Sequence, residues 1–229
     1  MFSNEKIIVL SVGGSLIVPE KGIDISFLKR LRAFILKEVK AGKRFIIVVG
    51  GGRTARRYQD AANAVCSMVD EDVDWLGIHS TRLNAHLMRT IFRDIALHYV
   101  VKNPTRKITW RKSVLIAAGW KPGRSTDDIA VRLAKMYGSK LVVNLSNIDA
   151  VYDSDPRKNK TAKPMSEMSW NAFRALVGNV WHPGANAPFD PIASKLAQRE
   201  KMTVVVASGD MKNMEKLVDG KKFIGTVIQ

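Results

Sequence analysis

The chain has 229 residues, 46% of them hydrophobic, and carries 37 Lys and Arg against 21 Asp and Glu, for a formal net charge of +16. That length and apolar share suffice for one α/β domain, and no apolar run reaches the roughly 18 residues of a membrane-spanning helix. A single cysteine, Cys66, excludes an intramolecular disulfide, and the start lacks a basic end and a cleavage pattern, so a reducing, cytoplasmic interior is expected.

Residues 7–12 read as a first strand, followed at once by Gly13, Gly14 and Ser15. Asp24 can cap a helix over 25–41, with Phe27, Leu28, Leu31, Phe34, Ile35 and Val39 at helical spacing and Gly42 ending it. Residues 44–49 form a second strand that runs into Gly50, Gly51 and Gly52. A helix over 53–67, carrying Cys66 as a packing residue, leads to an acidic turn from Asp70 to Asp74. A long helix is expected over 75–98, with Leu76, Leu83, Leu87, Ile91 and Ile95 facing inward. Ser113–Ala118 is a strand ending in the loop GWKPGRSTD, and a helix follows over 126–137. Leu141–Val143 is a buried strand that opens into a shaped loop carrying Asn144, Ser146, Asn147, Asp149, Tyr152, Asp153 and Asp155, closed by Pro156. Ser169 opens a helix to 177, another spans 190–200, 202–207 is a strand, and FIGTVIQ supplies a last one. Strands and helices alternate throughout, so the expected class is α/β, a mostly parallel sheet with helices on both faces. Neither an internal repeat nor a linker divides the chain, so it reads as one domain over 1–229.

Three of these strands end in glycine-bearing loops: VGGSL, VVGGGRTARRY and AGWKPGRSTDD. Glycine lets a backbone come close to a phosphate, and a helix starting just afterwards aims free N–H groups at the anion. Three such loops at carboxyl ends suggest two anionic groups bound face to face. None matches the P-loop or GxGxxG, and neither a GxSxG elbow nor a His/Cys metal spacing is present. His79 and His86 share a helix face as surface or interface residues. Arg53, Arg56 and Arg57 follow Gly52, where a guanidinium can clamp phosphate oxygens, though two of the three are expected to be solvated. Asp74 can cap its helix or accept from a base or ribose. Arg124, Ser125, Thr126 and Asp127 begin a helix, with the Ser and Thr hydroxyls as a phosphate cradle or Thr126 or Asp127 as a plain cap, and Lys195 can reach into the cleft or lie on the surface. The basic residues are scattered, without a block of five like charges or an aromatic-stacking motif, so nucleic acid is not expected as the main partner.

Taken in order, VGGSL, VVGGGRTARRY, DWLGIHSTRLNA, PGRSTD, SNIDAVYDSDPRK and DPIASK resemble the amino acid kinase superfamily, and most of all its archaeal-type uridylate kinases, over residues 7–227. The resemblance implies a three-layer αβα sandwich, an acceptor lobe over about 1–135 and an ATP lobe over about 136–229, and a homohexamer built from dimers. It implies transfer of the γ-phosphoryl of ATP, with Mg2+, to UMP in pyrimidine nucleotide biosynthesis. By motif, Gly14, Ser15, Gly52 and Arg56 would contact ATP phosphates, and Ser146, Asn147, Tyr152 and Asp155 the ATP ribose and base. Gly51, Asp74, Trp120, Lys121, Pro122, Gly123, Arg124, Ser125 and Thr126 would hold UMP. Gly14, Asp149 and Lys195 would form the catalytic set, Asp149 orienting and Lys195 neutralising the transferred group, and no residue is assigned as a metal ligand.

The chain departs from the family pattern in the acceptor loop, where Trp120 replaces a small hydroxyl residue and Lys121 and Arg124 replace histidines. Ala150 stands where the family has glycine, and WHPGANAPF replaces a small-residue stretch, whereas Ser11, at a place that is lysine in many relatives, agrees with the archaeal-type uridylate kinases, which also lack it. These changes leave two alternatives beside UMP kinase: a kinase for another small phosphate or carboxylate, and a catalytically weak nucleotide-binding regulator.

Overall fold

The structure is a computed structural model, and it describes residues 5–154, 158–180 and 187–229. Seven strands form one sheet in the order β3-β2-β1-β4-β8-β9-β7. They are β1 (Ile7–Val12), β2 (Arg44–Val49), β3 (Val114–Ala117), β4 (Leu141–Ser146), β7 (Glu167–Met168), β8 (Thr203–Ser208) and β9 (Thr226–Ile228). The run from β3 to β8 is parallel, β9 is antiparallel to β8, and β7 is parallel to β9. A separate hairpin pairs β5 (Val151–Tyr152) with β6 (Pro164–Met165).

Helices cover both faces, which is why the central strands are apolar at nearly every position. Ile8, Leu10 and Val12 of β1 join one core, together with buried residues of α1 (Gly14–Ile17), α2 (Ile25–Lys40), α4 (Asp70–Ile91) and α8 (Met211–Val218). Val9 turns to the other core, made with α5 (Thr126–Tyr137), α6 (Trp170–Val177) and α7 (Pro191–Arg199). The expected αβα sandwich is therefore present, and α3 (Gly52–Val65) packs on α4.

Local sequence explains the well-formed elements. Asp24 accepts a hydrogen bond from the Phe27 N–H at 2.8 Å and so caps α2, whose Phe27, Leu28, Leu31, Phe34 and Ile35 are buried. Each such side chain contributes about 1.5–3 kcal/mol on leaving water. Lys37 and Lys40 sit in its last turn, where the helix dipole favours cations, and Gly42 then turns the chain at φ +90°.

Four expectations are corrected. Asp70 to Asp74 is not a turn but the start of α4, because carboxylates are stabilised by the N–H groups of a first helical turn. Leu83 is not inward; it is 65% exposed, and Ser80, Thr81 and Asn84 are buried in its place. Cys66 is the exposed C-cap of α3, not a packing residue. Asn144 and Ser146 belong to β4 rather than to the loop after it. No helix among the described residues is long and apolar enough to cross a membrane.

Candidate active site

The parallel order of β3, β2, β1 and β4 sets their four carboxyl-end loops side by side on one edge of the sheet. The loops after β1 and β2 interlock. A Cβ on Gly14 would stand 2.6 Å from the Gly50 carbonyl carbon and nearer still to the Gly52 nitrogen. One on Gly50 would stand 2.5 Å from the Gly14 nitrogen. Gly52 also holds a φ of +62°, which side-chain-bearing residues avoid. The two loops thus form a single floor of bare backbone, from which α3 departs with its first N–H groups at the floor's rim.

Helix α4 clamps this floor to the next loop. The Asn84 amide donates to the carbonyls of both Gly50 and Gly51 at 2.9 Å. Thr81 Oγ1 accepts from the Gly119 N–H at 2.7 Å. Arg82 donates to the carbonyls of Gly119 at 3.2 Å and Trp120 at 3.0 Å. Asp74 does not cap α4; its Oδ2 accepts from the Gly123 N–H at 2.7 Å. These polar side chains face inward because strand-end loops leave backbone groups that need partners. Replacing Asn84 with alanine strands two carbonyls and is expected to lower the unfolding free energy by about 1–3 kcal/mol in urea titration. An unchanged midpoint would show that the clamp carries no load.

The loop over residues 119–125 leads into α5, which Ser125 caps by accepting from the Asp128 N–H at 3.1 Å. Thr126 and Asp127 are therefore first-turn residues, not caps. The Trp120 ring packs at the edge of the core on the α5 side of the sheet, with the Lys121 Nζ 4.6 Å and the Arg132 Cζ 5.9 Å from its centroid.

Beside the loop over 119–125 stand carboxyl groups that sequence reading assigned no part in the chemistry. Ser11 Oγ donates to Asp127 Oδ1 at 2.7 Å, and the Asp190 N–H donates to Asp127 Oδ2 at 3.2 Å. Asp127 thus ties β1, α5 and α7 together. Burial pushes its carboxyl above the ordinary aspartate range, and the Ser11 hydroxyl and Asp190 N–H only partly offset this. Asp190 caps α7 through the Ala193 N–H, while its Oδ2 is buried and, among the described residues, without a hydrogen-bond partner. Burial raises its pKa to about 7, against the Ala193 N–H, and the neighbouring Asp127 and Asp128 add to the rise. The pair is invisible to local pattern because its members stand 63 residues apart. The one clue was Ser11, a small polar residue where a charged one is common.

The remaining expected residues are placed as follows. Ser15 lies half-buried on α1, and Arg56 is exposed on α3. Arg53 pairs with Glu20 at 2.8 Å, and Arg57 donates to the Glu20 carbonyl at 2.6 Å. Ser146 ends β4, Asn147 and Asp149 are exposed in the loop after it, and Tyr152 lies half-buried on β5. Lys195 is exposed on the second turn of α7. Asp155 and residues 181–186 of the WHPGANAPF segment lie outside the described residues. Among the described residues, no three His, Cys, Asp or Glu side chains are grouped to hold a metal ion.

The amino acid kinase family model matches residues 6–208. A uridylate kinase of Thermococcus onnurineus is 34% identical over 227 residues, which covers 97% of this chain and 99% of that protein. One from Thermococcus kodakarensis is 33% identical over 226 residues, with the same coverage of both chains. The solved uridylate kinase of Archaeoglobus fulgidus superposes with a TM-score of 0.80 at 28% identity, over 97% of this chain and 99% of that one. The UMP kinase of Bacillus anthracis gives a TM-score of 0.78 at 21% identity, over 98% and 96% of the two chains, a likeness of fold. The chain belongs to the amino acid kinase family, and within it to the archaeal-type uridylate kinases.

Proposed function

We propose that the protein transfers the γ-phosphoryl group of ATP to UMP, giving ADP and UDP. The observation that carries this reading is the interlocked glycine floor of β1 and β2, beside an acceptor loop pinned to α4 at the end of β3. An oxygen of the UMP phosphate forms the new bond to the γ-phosphorus. The bond from that phosphorus to the β–γ bridging oxygen breaks, and its electron pair leaves with ADP. The attacking oxygen is already anionic, so alignment and charge neutralisation suffice and no general base is required.

In this reading Gly14, Ser15, Gly52 and Arg56 hold the ATP phosphates, and Ser146, Asn147, Tyr152 and Asp155 hold its ribose and base. Gly51, Asp74 and residues 120–126 hold UMP in an acceptor lobe over about 1–135, which also lends the ATP-phosphate contacts, while the ATP ribose and base lie on a lobe over about 136–229. Bare backbone N–H groups and a hydroxyl fit phosphate oxygens. Magnesium fits as an ion carried by the nucleotide phosphates, which needs few protein ligands, and when bound it supplies charge neutralisation there. Asp149 orients groups at the donor phosphates, and Lys195 neutralises the moving phosphoryl. The Asp190–Asp127 bond places the start of α7 against the acceptor helix, which supports that reach for Lys195. A homohexamer and a cytoplasmic location accompany the reading.

The departures at Trp120, Lys121 and Arg124 favour one second reading, a kinase for another small phosphate. A coupled assay of ADP release with Mg-ATP and UMP, CMP or small carboxylates decides. UMP-dependent turnover of about 1–10³ s⁻¹ is expected, falling about 10²-fold or more in Lys195→Met. Absence of any UMP-dependent ADP release would sink the reading.

A further inference from the structure

Asp128 is wholly buried in the first turn of α5. Its Oδ2 accepts from Arg132 Nε at 2.7 Å. Among the described residues its Oδ1 has no hydrogen-bond partner, and it stands 3.8 Å from Arg124 Nη1, just beyond hydrogen-bond reach. Arg132 in turn lies over the Trp120 ring, which Lys121 also approaches. So Trp120, Arg124, Asp128 and Arg132 form one connected set. Trp120 and Arg124 are two of the places where the acceptor loop departs from its family pattern.

From this we infer that Asp128 is a positioning residue that fixes Arg124 as the specificity-determining contact for the acceptor phosphate. The inference rests on the reading of residues 119–127 as the acceptor loop. A buried carboxylate oxygen without a partner attracts the nearest guanidinium. That guanidinium has five donors in a rigid fork, so one edge can close on Asp128 while the other meets two phosphate oxygens. A histidine at this place offers at most two donors and loses its charge near neutral pH. The fork therefore replaces a titrating contact with a permanent one, and Arg132 holds Asp128 from the other side. Trp120 is then accounted for also as the ring over which Arg132 is held.

The test is a double-mutant cycle over Arg124→Ala, Asp128→Asn and the pair together, read as KM for UMP against KM for ATP. Each single change is expected to raise KM for UMP about tenfold, with little movement of KM for ATP. The double variant is expected to be no worse than Arg124→Ala alone, because Asp128 acts only through Arg124. Multiplying penalties, or a parallel rise in KM for ATP, overturn the inference. If circular dichroism shows Asp128→Asn unfolded, Arg124→Lys decides at a half-exposed site. Lysine keeps the charge but cannot bridge, so it should be as impaired as alanine, and wild-type KM in Arg124→Lys overturns the proposal. A wild type that binds UMP without phosphorylating it defeats the kinase reading alone. The cycle is then read on UMP affinity by calorimetry, where the same non-additivity is expected.

Discussion

Replacing Gly14 with alanine is expected to lower kcat/KM for both substrates by at least about 10²-fold, the scale of an ångström-sized misplacement of reacting groups. The added methyl meets the carbonyl carbon of Gly50 at 2.6 Å and the Gly52 nitrogen more closely, and neither is a side chain that can swing away. Room can be made only by parting the loops of β1 and β2. That movement strains the Gly50 N–H bond to the Val12 carbonyl and the Arg53 N–H bond to the Val18 carbonyl, both 2.9 Å. Overpacking of this kind costs about 3 kcal/mol, which for a chain of this size lowers Tm by about 6–12 °C. Gly22→Ala is the control: its φ is +106° but nothing among the described residues lies within 4 Å of the new methyl. It should show a modest loss of Tm and unaltered kinetics. Wild-type kinetics in Gly14→Ala would mean the floor is not interlocked as described.

The elements that could be read from sequence are those whose own residues decide them. β2 spans Arg44–Val49 around its apolar run, and α5 spans Thr126–Tyr137, both as expected. Asp24 and Ser169 cap the helices they were expected to open. What escaped was decided by distant partners. Leu83 was taken as inward because it is apolar, yet α4 turns Asn84 and Thr81 inward, since backbone groups of two loops need donors and acceptors there. Asn144 looked like loop and is a buried β4 residue because the Pro188 carbonyl accepts from its amide at 2.7 Å. The strands β5, β6 and β7 have two residues each, too few for any period to show, and α8, as long as α6, passed unread. For the site, the glycine floor was legible because glycine is the residue type that such an approach demands. The Asp127–Asp190 contact was not, because either aspartate alone reads as an ordinary helix start.

That contact makes a second large effect measurable. Asp190→Asn is expected to flatten the dependence of stability on pH. In the folded protein the Asp190 carboxyl has its pKa raised to about 7, above the ordinary aspartate value of 3.8. Below about pH 4 both folded and unfolded chains hold the proton, so the site exerts no pull on stability. Between about pH 4 and pH 7 the folded chain holds a proton that the unfolded chain has released, so stability falls as pH rises, by at most about 1.4 kcal/mol per pH unit. Above about pH 7 both are ionised and the loss is complete. Asparagine is an equally good N-cap, so its Oδ1 keeps the Ala193 bond while a neutral Nδ2 replaces the unpartnered oxygen. At pH 5 the variant and wild type should therefore melt within a few degrees of each other. At pH 8 the variant is expected to be more stable by about 2 kcal/mol, or about 4–8 °C in Tm. Thermal melts across pH 4 to 8 check this. If Asp190→Asn keeps the wild-type slope, the buried proton belongs to Asp127. That carboxyl is shifted the same way by the same burial, and Asp127→Asn should then flatten the profile, at the loss of an acceptor for the Asp190 N–H.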